Sequence, residues 1–146
     1  MLRGNSPAKV DDKGRIKIPS LFRKFIEDQY GRDCFVTSLS GEFVRLYPMP
    51  AWLAIEKKVA ALPSMTRAVR RFLNHVNYYG QSASMDEQGR VLIHPLLREK
   101  SGINGEVAVL GQQTFLDIWN LEKFEAMLKE GPLTEDDQQV LASLGL

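Results

Sequence analysis

The sequence has little of the residues on which most catalytic and metal sites depend. Its 146 residues include one cysteine and two histidines. A single cysteine excludes an internal disulfide and a cysteine-rich zinc site, and the apolar surroundings of Cys34 predict a buried small hydrophobe rather than a nucleophile. His75 and His94 do not fall into a metal-ligand spacing such as HExxH, and no phosphate-binding glycine loop or GxSxG motif is present. We therefore expect neither catalysis nor a cofactor or metal.

Long hydrophobic runs are also missing. Charged residues interrupt every window that is long enough to cross a bilayer, and the first residues, MLRGNSPAKVDDKG, lack the apolar segment of a secretory signal. We therefore expect a cytoplasmic protein without a membrane span. The hydrophobic content of 44% is nevertheless enough for the core of one compact domain or two small ones.

The net charge of +1 hides an uneven distribution of charge along the chain. Residues 1–24 carry seven bases and two acids, a net +5, whereas residues 101–146 carry two lysines and eight acids, a net −6. Residues 25–64 sum to −1, residues 65–76 to +3 and residues 77–100 to zero. The basic N-terminal segment favours a polyanion as partner, although solvated faces of opposite sign would give the same counts.

The chain contains an internal repeat. Residues 10–24, VDDKGRIKIPSLFRK, align without gaps to residues 85–99, MDEQGRVLIHPLLRE. Further along, with three residues deleted, Phe35-Val36 matches Val107-Ala108, and the pentapeptide FVRLY that begins at Phe43 matches FLDIW. Two copies of one unit therefore make up most of the chain. The identical pairs are Asp11/Asp86, Gly14/Gly89, Arg15/Arg90, Ile18/Ile93, Leu21/Leu96 and Arg23/Arg98.

Each copy is predicted to contain the same elements. An extended segment leads into the tight turn DxxGR, in which Asp accepts backbone N–H bonds and Gly takes a positive φ, and a β-hairpin follows. Ile16 and Ile18 alternate with Arg15 and Lys17, so one face should be buried and the other basic. A short helix, two strands and an amphipathic helix complete each copy, at residues 21–29, 34–38, 43–47 and 51–61 and again at 96–100, 106–110, 114–119 and 121–130.

The repeat divides the chain into four segments. We place the first repeat at residues 1–62, a basic linker helix at residues 63–77, the second repeat at residues 78–131 and an acidic tail at residues 132–146. One copy has too few apolar residues and too many open strand edges to be stable alone, so the copies should share one core. The tail carries Leu141, Leu144 and Leu146 near its end. It is predicted to be a short helix packed on a neighbour, or a loose end.

The two motifs resemble the swapped-hairpin AbrB motif, in which D-x-x-G-R precedes an apolar strand, a proline and a short helix. Together with the opening MLRGN and the sequence NYYG before the second copy, they resemble the MraZ family over nearly the whole chain. The resemblance implies a mainly β fold with short helices, of the α+β class. Its architecture would be a pseudo-symmetric double-repeat β-barrel with interleaved hairpins, similar to AbrB and MazE regulators.

The resemblance also implies a function. Members of the family are sequence-specific DNA-binding transcriptional regulators that assemble into rings. They bind repeated sites in the promoter of the cell division and cell wall cluster that contains their own gene, and they repress that cluster. We therefore expect double-stranded DNA and further copies of this chain as partners, no small-molecule substrate, and a cytoplasmic location on the nucleoid.

The predicted site lies in and around the two turns. Lysines should contact phosphates, whereas the forked donors of Arg15 can pair with guanine O6 and N7 at a base edge. Each turn arginine has an alternative role, an ion pair with the aspartate of its own turn, and both roles can coexist. The predicted DNA-binding residues are Arg3, Lys9, Lys13, Arg15, Lys17 and Arg90, and the predicted turn residues are Asp11, Gly14, Asp86 and Gly89.

The second copy departs from the first in two ways. His94 stands where the first copy has Pro19, and we expect only a local change because Pro95 follows. Gln88 and Leu92 replace the first copy's two lysines, so the second copy should contribute less to DNA binding. The linker arginines at 67, 70 and 71 are left out of the site, since a solvated helix or a subunit contact explains them equally well.

An antitoxin-type regulator that binds another protein is the alternative function. AbrB-like folds also serve as antitoxins, which usually carry one motif and a long disordered extension. Here the second motif occupies the place of that extension, which argues against this alternative.

Overall fold

The computed structural model describes residues 1–63 and 66–146, so Ser64 and Met65 of the predicted linker lie outside the described residues. The fold is α+β. The strands are β1 (Leu2–Lys9), β2 (Arg15–Lys17), β3 (Asp33–Thr37), β4 (Val44–Pro48), β5 (Gln81–Ser84), β6 (Arg90–Leu92), β7 (Glu106–Gln113) and β8 (Phe115–Asn120). The helices are α1 (Ser20–Tyr30), α2 (Met49–Ala60), α3 (Arg67–Tyr78), α4 (Pro95–Ser101), α5 (Leu121–Glu130) and α6 (Glu135–Ser143).

The two repeats exchange strands. Six strands form an antiparallel sheet in the order β1-β7-β8-β4-β3-β5, and β2 pairs with β6 in a separate two-stranded sheet. The first strand of each repeat therefore pairs with the third strand of the other: β1 with β7, and β5 with β3. Because neither sheet can form from one copy, the expectation that the copies share one core is confirmed.

The predicted hairpin at the first turn is present only in part. Val10 bridges Ile16 and the Asp11 N–H donates to the Arg15 carbonyl at 2.9 Å, but β2 forms its ladder with β6 of the other repeat. The alternation of apolar and basic residues buries Ile16 whether the partner strand is local or comes from the other copy. The exchanged arrangement has the further advantage that Ile16 packs directly opposite its own counterpart, Val91, and both are fully buried.

Two parts of the predicted fold class are not borne out by these pairings. No ladder joins β1 to β5 among the residues that the structure describes, so the six-stranded sheet is open and the closed barrel is not confirmed. The helices also hold more residues than the strands, so the fold is α+β but not mainly β. The excess comes from the linker and the acidic tail, which form α3 and α6.

An approximate two-fold axis relates the repeats, and equivalent residues meet on it. Ile16 lies opposite Val91 in the small sheet, and Arg45 lies opposite Asp117 in the large one. Arg45 Nε and Nη2 donate to the two carboxylate oxygens of Asp117 at 2.8 and 3.2 Å. The side chains are 17% and 8% exposed. A perfect repeat would place two like charges here, so divergence at this position is what permits the ion pair.

The strand pairing corrects the alignment of the repeats by one residue. Ala83 pairs with Cys34, and its counterpart Ala8 pairs with Val107. Cys34 is therefore equivalent to Val107, whereas the sequence alignment had matched Phe35 to Val107. The gap of three residues is split: α4 and the loop after it are together two residues shorter than α1 and its loop, and the β7–β8 turn is one residue shorter than the β3–β4 turn.

One apolar core joins both sheets with α1 and α4. Its members come from both repeats and include Cys34, whose predicted burial is confirmed. Desolvation raises the pKa of the Cys34 thiol to about 12, so the thiol stays neutral. The core residues are Leu2, Ile16, Ile18, Phe22, Ile26, Cys34, Val36, Val44, Leu46, Met85, Val91, Ile93, Leu97, Ile103, Val107, Val109, Leu116 and Ile118.

A second, aromatic cluster lies on the opposite face of the large sheet, under α2 and α3. Trp52 of α2 stacks on Phe35 with ring centroids 4.5 Å apart and also contacts Tyr47 and Phe72. Trp52 is buried and Val76 of α3 completes the cluster. These contacts fix α2 and the linker helix against the strands of the first repeat.

The helix boundaries follow local signals. Gly31 and Gly102 end α1 and α4 with positive φ, and α5 begins after Asn120, whose side chain accepts from Lys123 N at 3.0 Å. His94 adopts φ −67° and ψ 155°, close to the values of Pro19, so the expected local change at this position is small. No helix in the described residues is long and apolar enough to span a membrane.

Candidate nucleic-acid interface

The first DxxGR turn is organised by one carboxylate. Asp11 Oδ1 accepts the backbone N–H groups of Lys13 and Arg15 at 3.0 and 2.8 Å, and Oδ2 accepts Arg15 Nε at 2.9 Å. Gly14 closes the turn with φ +79° and donates its N–H to the Asp11 carbonyl. The turn therefore holds Arg15 in a defined position at the start of β2.

The second turn repeats this geometry atom for atom. Asp86 Oδ1 accepts the N–H groups of Gln88 and Arg90 at 2.8 and 2.9 Å, and Oδ2 accepts Arg90 Nε at 2.9 Å. Gly89 has φ +76°. The structure thus places Asp11 and Gly14 in the first turn, and Asp86 and Gly89 at the equivalent positions of the second.

These bonds lower the pKa of both turn aspartates. The backbone N–H of Arg90 is the largest cause at Asp86, whose pKa falls to about 2. The backbone N–H of Arg15 lowers the pKa of Asp11 in the same way. Both carboxylates are therefore ionised at neutral pH, and each turn carries a fixed ion pair.

An arginine from the opposite repeat packs on each turn. Arg23 of α1 donates from Nη2 to the carbonyl of Glu87 at 2.6 Å, and Arg98 of α4 donates from Nη1 to the carbonyls of Ile93 and Lys13 at 3.1 and 3.5 Å. The backbone makes the same exchange, since Ile18 N–H donates to the Gly89 carbonyl at 2.8 Å.

This crossing packs an arginine side chain directly against the glycine of each turn. A Cβ on Gly89 would lie 2.7 Å from Arg23 Cδ, and a Cβ on Gly14 would overlap the guanidinium of Arg98. Sequence reasoning missed the role of Arg23 and Arg98. Their identity in the aligned copies was the available signal, but it did not show that each one serves the other copy's turn.

The β2–β6 pair presents one outward surface, which we call the ribbon face and define as Arg15, Lys17, Arg90 and Leu92. Arg15 lies opposite Leu92, and Lys17 lies opposite Arg90. The intervening residues of both strands point into the core. Three cations from two repeats therefore share one short surface, although Arg90 is 75 residues from Arg15 and 73 from Lys17 in sequence.

Three other predicted DNA-binding residues lie at different distances from the ribbon face. Lys9 lines the same surface groove as Lys17, and Lys13 is exposed at the tip of the first turn. Arg3 is exposed but lies six residues before Lys9 on β1, which corresponds to roughly 20 Å along a strand. The fold thus brings Lys9 towards the ribbon face and places Arg3 away from it.

The turn arginines have both an ion pair and free donors. Arg15 and Arg90 each use Nε on their own aspartate, and their side chains remain 28% and 31% exposed. Within residues 1–63 and 66–146, their Nη atoms have no hydrogen-bond partner. The predicted ion pairs are confirmed, and the geometry leaves the forked end of each guanidinium available to a ligand.

The two histidines have structural contacts. His94 Nε2 lies 2.8 Å from the Tyr79 carbonyl, so this nitrogen carries the proton and donates. His75 Nδ1 lies 2.8 Å from the Arg71 carbonyl within α3. The part of the chain that the structure describes has no group of three His, Cys, Asp or Glu side chains placed to hold a metal ion.

The fold and the ribbon face define a class: a two-repeat α+β protein whose repeats exchange strands and combine their turn arginines on one basic surface. Comparison with known proteins identifies the family. The family model described as "MraZ protein, putative antitoxin-like" matches residues 1–75 and 80–142. The chain therefore belongs to the MraZ family.

Curated relatives match over the full chain. The chain is 44% identical over 146 residues to the transcriptional regulator MraZ of Acidobacterium capsulatum, covering 100% of both chains. It is 46% identical over 147 residues to the protein of the same name from Koribacter versatilis, again with 100% of each chain covered. A third relative of that name, from Chromobacterium violaceum, is 30% identical over 99% of this chain and 97% of its own.

Proposed function

We propose that this chain is a sequence-specific DNA-binding transcriptional regulator. Its relatives carry the name transcriptional regulator, and the observation that carries the proposal is the ribbon face, where Arg15, Lys17 and Arg90 lie side by side. A two-stranded β-ribbon fits the major groove of B-DNA, where base edges can be read. The ribbon face is the reading surface in this proposal.

The residues divide the work of binding by their chemistry. Lys9, Lys13 and Lys17 contact phosphates, which set affinity and position without reading sequence. Arg15 reads a base through its free Nη donors while Nε stays bound to Asp11, because a guanidinium held in this way loses little further freedom on binding. Arg90 acts in the same way from the second repeat, and Arg3 contacts the flanking backbone.

The proposed target is the promoter of the cell division and cell wall cluster that contains the chain's own gene, which the protein represses through repeated sites. One protomer offers few phosphate contacts, so a ring-like homo-oligomer on neighbouring sites would raise affinity through effective concentration. In this proposal the exchanged strands act as an AbrB-like swapped-hairpin unit, and the protein works in the cytoplasm on the nucleoid.

The antitoxin-type alternative is less well supported. Such a regulator needs a segment that is free to bind another protein. The second repeat is not free in this way, since β5 and β7 complete the sheet of the first repeat. A small partner that copurifies in equal amount and binds without DNA would favour the alternative.

The test is binding of the upstream region of the chain's own gene beside a shuffled sequence of the same length. Parent protein should prefer the upstream region by about 1000-fold or more, the lower end for specific regulators. The variant Arg15→Lys keeps the positive charge and a partner for Asp11 but loses the forked donors of the guanidinium. The preference for the upstream region should therefore fall, while the salt dependence of binding stays the same. Equal binding of both sequences by the parent protein would contradict the proposal.

A further inference from the structure

Arg23 of α1 connects its own helix to the turn of the other repeat. Its Nε donates to Glu27 Oε1 at 2.8 Å, one helical turn further along α1, and its Nη2 donates to the Glu87 carbonyl at 2.6 Å. The bond from Arg23 lowers the pKa of Glu27, so this carboxylate is ionised at neutral pH. One planar guanidinium is therefore anchored at two points, on α1 and in the middle of the second turn.

The second turn is also held by the backbone of the first repeat. Ile18 N–H donates to the Gly89 carbonyl at 2.8 Å, and the side chain of Arg23 lies against Gly89. Arg90 follows directly in the chain and begins β6. Contacts from the first repeat thus fix the turn on both sides of Gln88, and with it the backbone from which Arg90 projects.

The first turn lacks an equivalent anchor. Gly102, at the end of α4, stands at the position that Glu27 has in the first repeat. Arg98 forms no ion pair within the described part of the chain. Its Nη1 donates to the Ile93 carbonyl of its own repeat at 3.1 Å and lies 3.5 Å from the Lys13 carbonyl. The bond from Arg98 to the opposite turn is therefore longer than that from Arg23, and no carboxylate holds its guanidinium.

We propose that Arg23 is a positioning residue for the DNA contact of Arg90, and that Glu27 holds Arg23 in place for this role. A base contact requires that the donors of a guanidinium be held within a narrow range of positions. A turn that is fixed before DNA arrives loses less conformational freedom on binding, and this raises affinity. A residue of the first repeat thus supports the DNA contact of the second. This inference rests on the proposed function, DNA binding at the ribbon face.

A double-variant cycle in DNA affinity tests the pairing of Arg23 with Arg90. Arg23→Gln should weaken binding to the upstream DNA by about two- to tenfold, the cost of ordering one long side chain on binding. In an Arg90→Ala background the same change should cost less than about twofold, because the contact that Arg23 supports is already gone. In an Arg15→Ala background, which is the matched control, Arg23→Gln should keep its full cost.

The outcomes of this cycle separate the inference from the proposed function. An equal cost of Arg23→Gln in the Arg90→Ala and Arg15→Ala backgrounds would overturn the inference, since a general effect on fold or charge does not distinguish the two turns. No cost in the parent background would overturn it as well. A parent protein that binds upstream and shuffled DNA equally would contradict the proposed function and the inference together.

Glu27→Ala tests the same anchor without changing Arg23, and it serves also if Arg23→Gln does not fold. Removal of an acid favours DNA binding by charge alone, whereas loss of the anchor weakens binding, so the sign of the effect decides. We expect Glu27→Ala to weaken binding by about twofold or more. Asp28→Ala, which removes the same charge from an exposed position on α1, should bind at least as tightly as the parent. Equal or tighter binding by folded Glu27→Ala, with circular dichroism to show the fold, would overturn the inference.

Discussion

In the first repeat, the strand after the turn carries Arg15 and Lys17, whereas the second repeat carries Arg90 and Leu92 at the same positions. The turns themselves match in every bond from aspartate to backbone and guanidinium. The arginines that pack on the opposite turn, Arg23 and Arg98, are the same in both copies, whereas the exposed residues Lys17 and Leu92 differ. The exchange of strands thus fixes the geometry of both repeats and leaves the charge of their outer surfaces free to diverge.

The repeats also differ at Arg45 and Asp117, where they meet on the approximate two-fold axis. Removing this difference should have the largest effect of the changes described here, a loss of folding stability. Arg45→Asp places two carboxylates opposite each other in a mostly buried site, and we expect a loss of about 3 kcal/mol or more in the free energy of unfolding. The double variant Arg45→Asp, Asp117→Arg exchanges the charges across the axis and should recover most of that loss. Urea unfolding of the three proteins measures it, and a double variant less stable than the single one would contradict the axial role.

The two turns are expected to contribute unequally to DNA binding. Removing the arginine of each turn should therefore give the next largest effect, a loss of DNA affinity that differs between the two variants. Arg15→Ala should weaken binding to the upstream DNA by about 1–3 kcal/mol, the usual value of one bidentate base contact. Arg90→Ala should cost less, because the second repeat supplies fewer cations around its turn. Fluorescence anisotropy at one salt concentration compares them, with circular dichroism to show that both variants are folded. A larger loss for Arg90→Ala would contradict the expectation that the first repeat contributes more to DNA binding than the second.

Lowering the pH should reveal a smaller effect, a loss of folding stability that depends on the two turn aspartates. In the folded chain the pKa of Asp86 is about 2, below the ordinary value of 3.8. The ionised carboxylate therefore contributes stability that is present above pH 3.8 and lost as the pH falls towards 2. In Asp86→Asn the thermal midpoint should depend less on pH across this interval than in the parent, and Asp11→Asn should show the same direction. An unchanged pH profile in both variants would show that the turn bonds are absent in solution.

Much of the local structure could be predicted from the sequence because its signals are local. The DxxGR turns, the glycine ends of α1 and α4 and the Asn120 cap each depend on residues close together in the chain. The burial of Ile16 was also predictable from alternation. The duplication itself indicated a shared core, since one copy leaves strand edges open.

The partners of the strands could not be predicted in the same way. Alternation in β2 is satisfied equally by a local hairpin and by pairing with β6, so the pattern does not choose between them. The one-residue error in the alignment of the repeats has a similar origin. The three residues that the second repeat lacks are divided between two places, α4 with the loop after it and the β7–β8 turn. The crossing of Arg23 and Arg98 depends on that pairing, and hence was missed.

The difference between Lys17 and Leu92 provides the most direct test that both repeats form one DNA-binding surface. The measurement is the slope of log K against log salt for the upstream DNA, in the parent, Lys17→Leu and Leu92→Lys. If the ribbon face meets the duplex, the slope should become shallower by about 0.9 per protomer in Lys17→Leu and steeper by about 0.9 in Leu92→Lys. Slopes that are the same in all three proteins would place the DNA elsewhere and contradict the account.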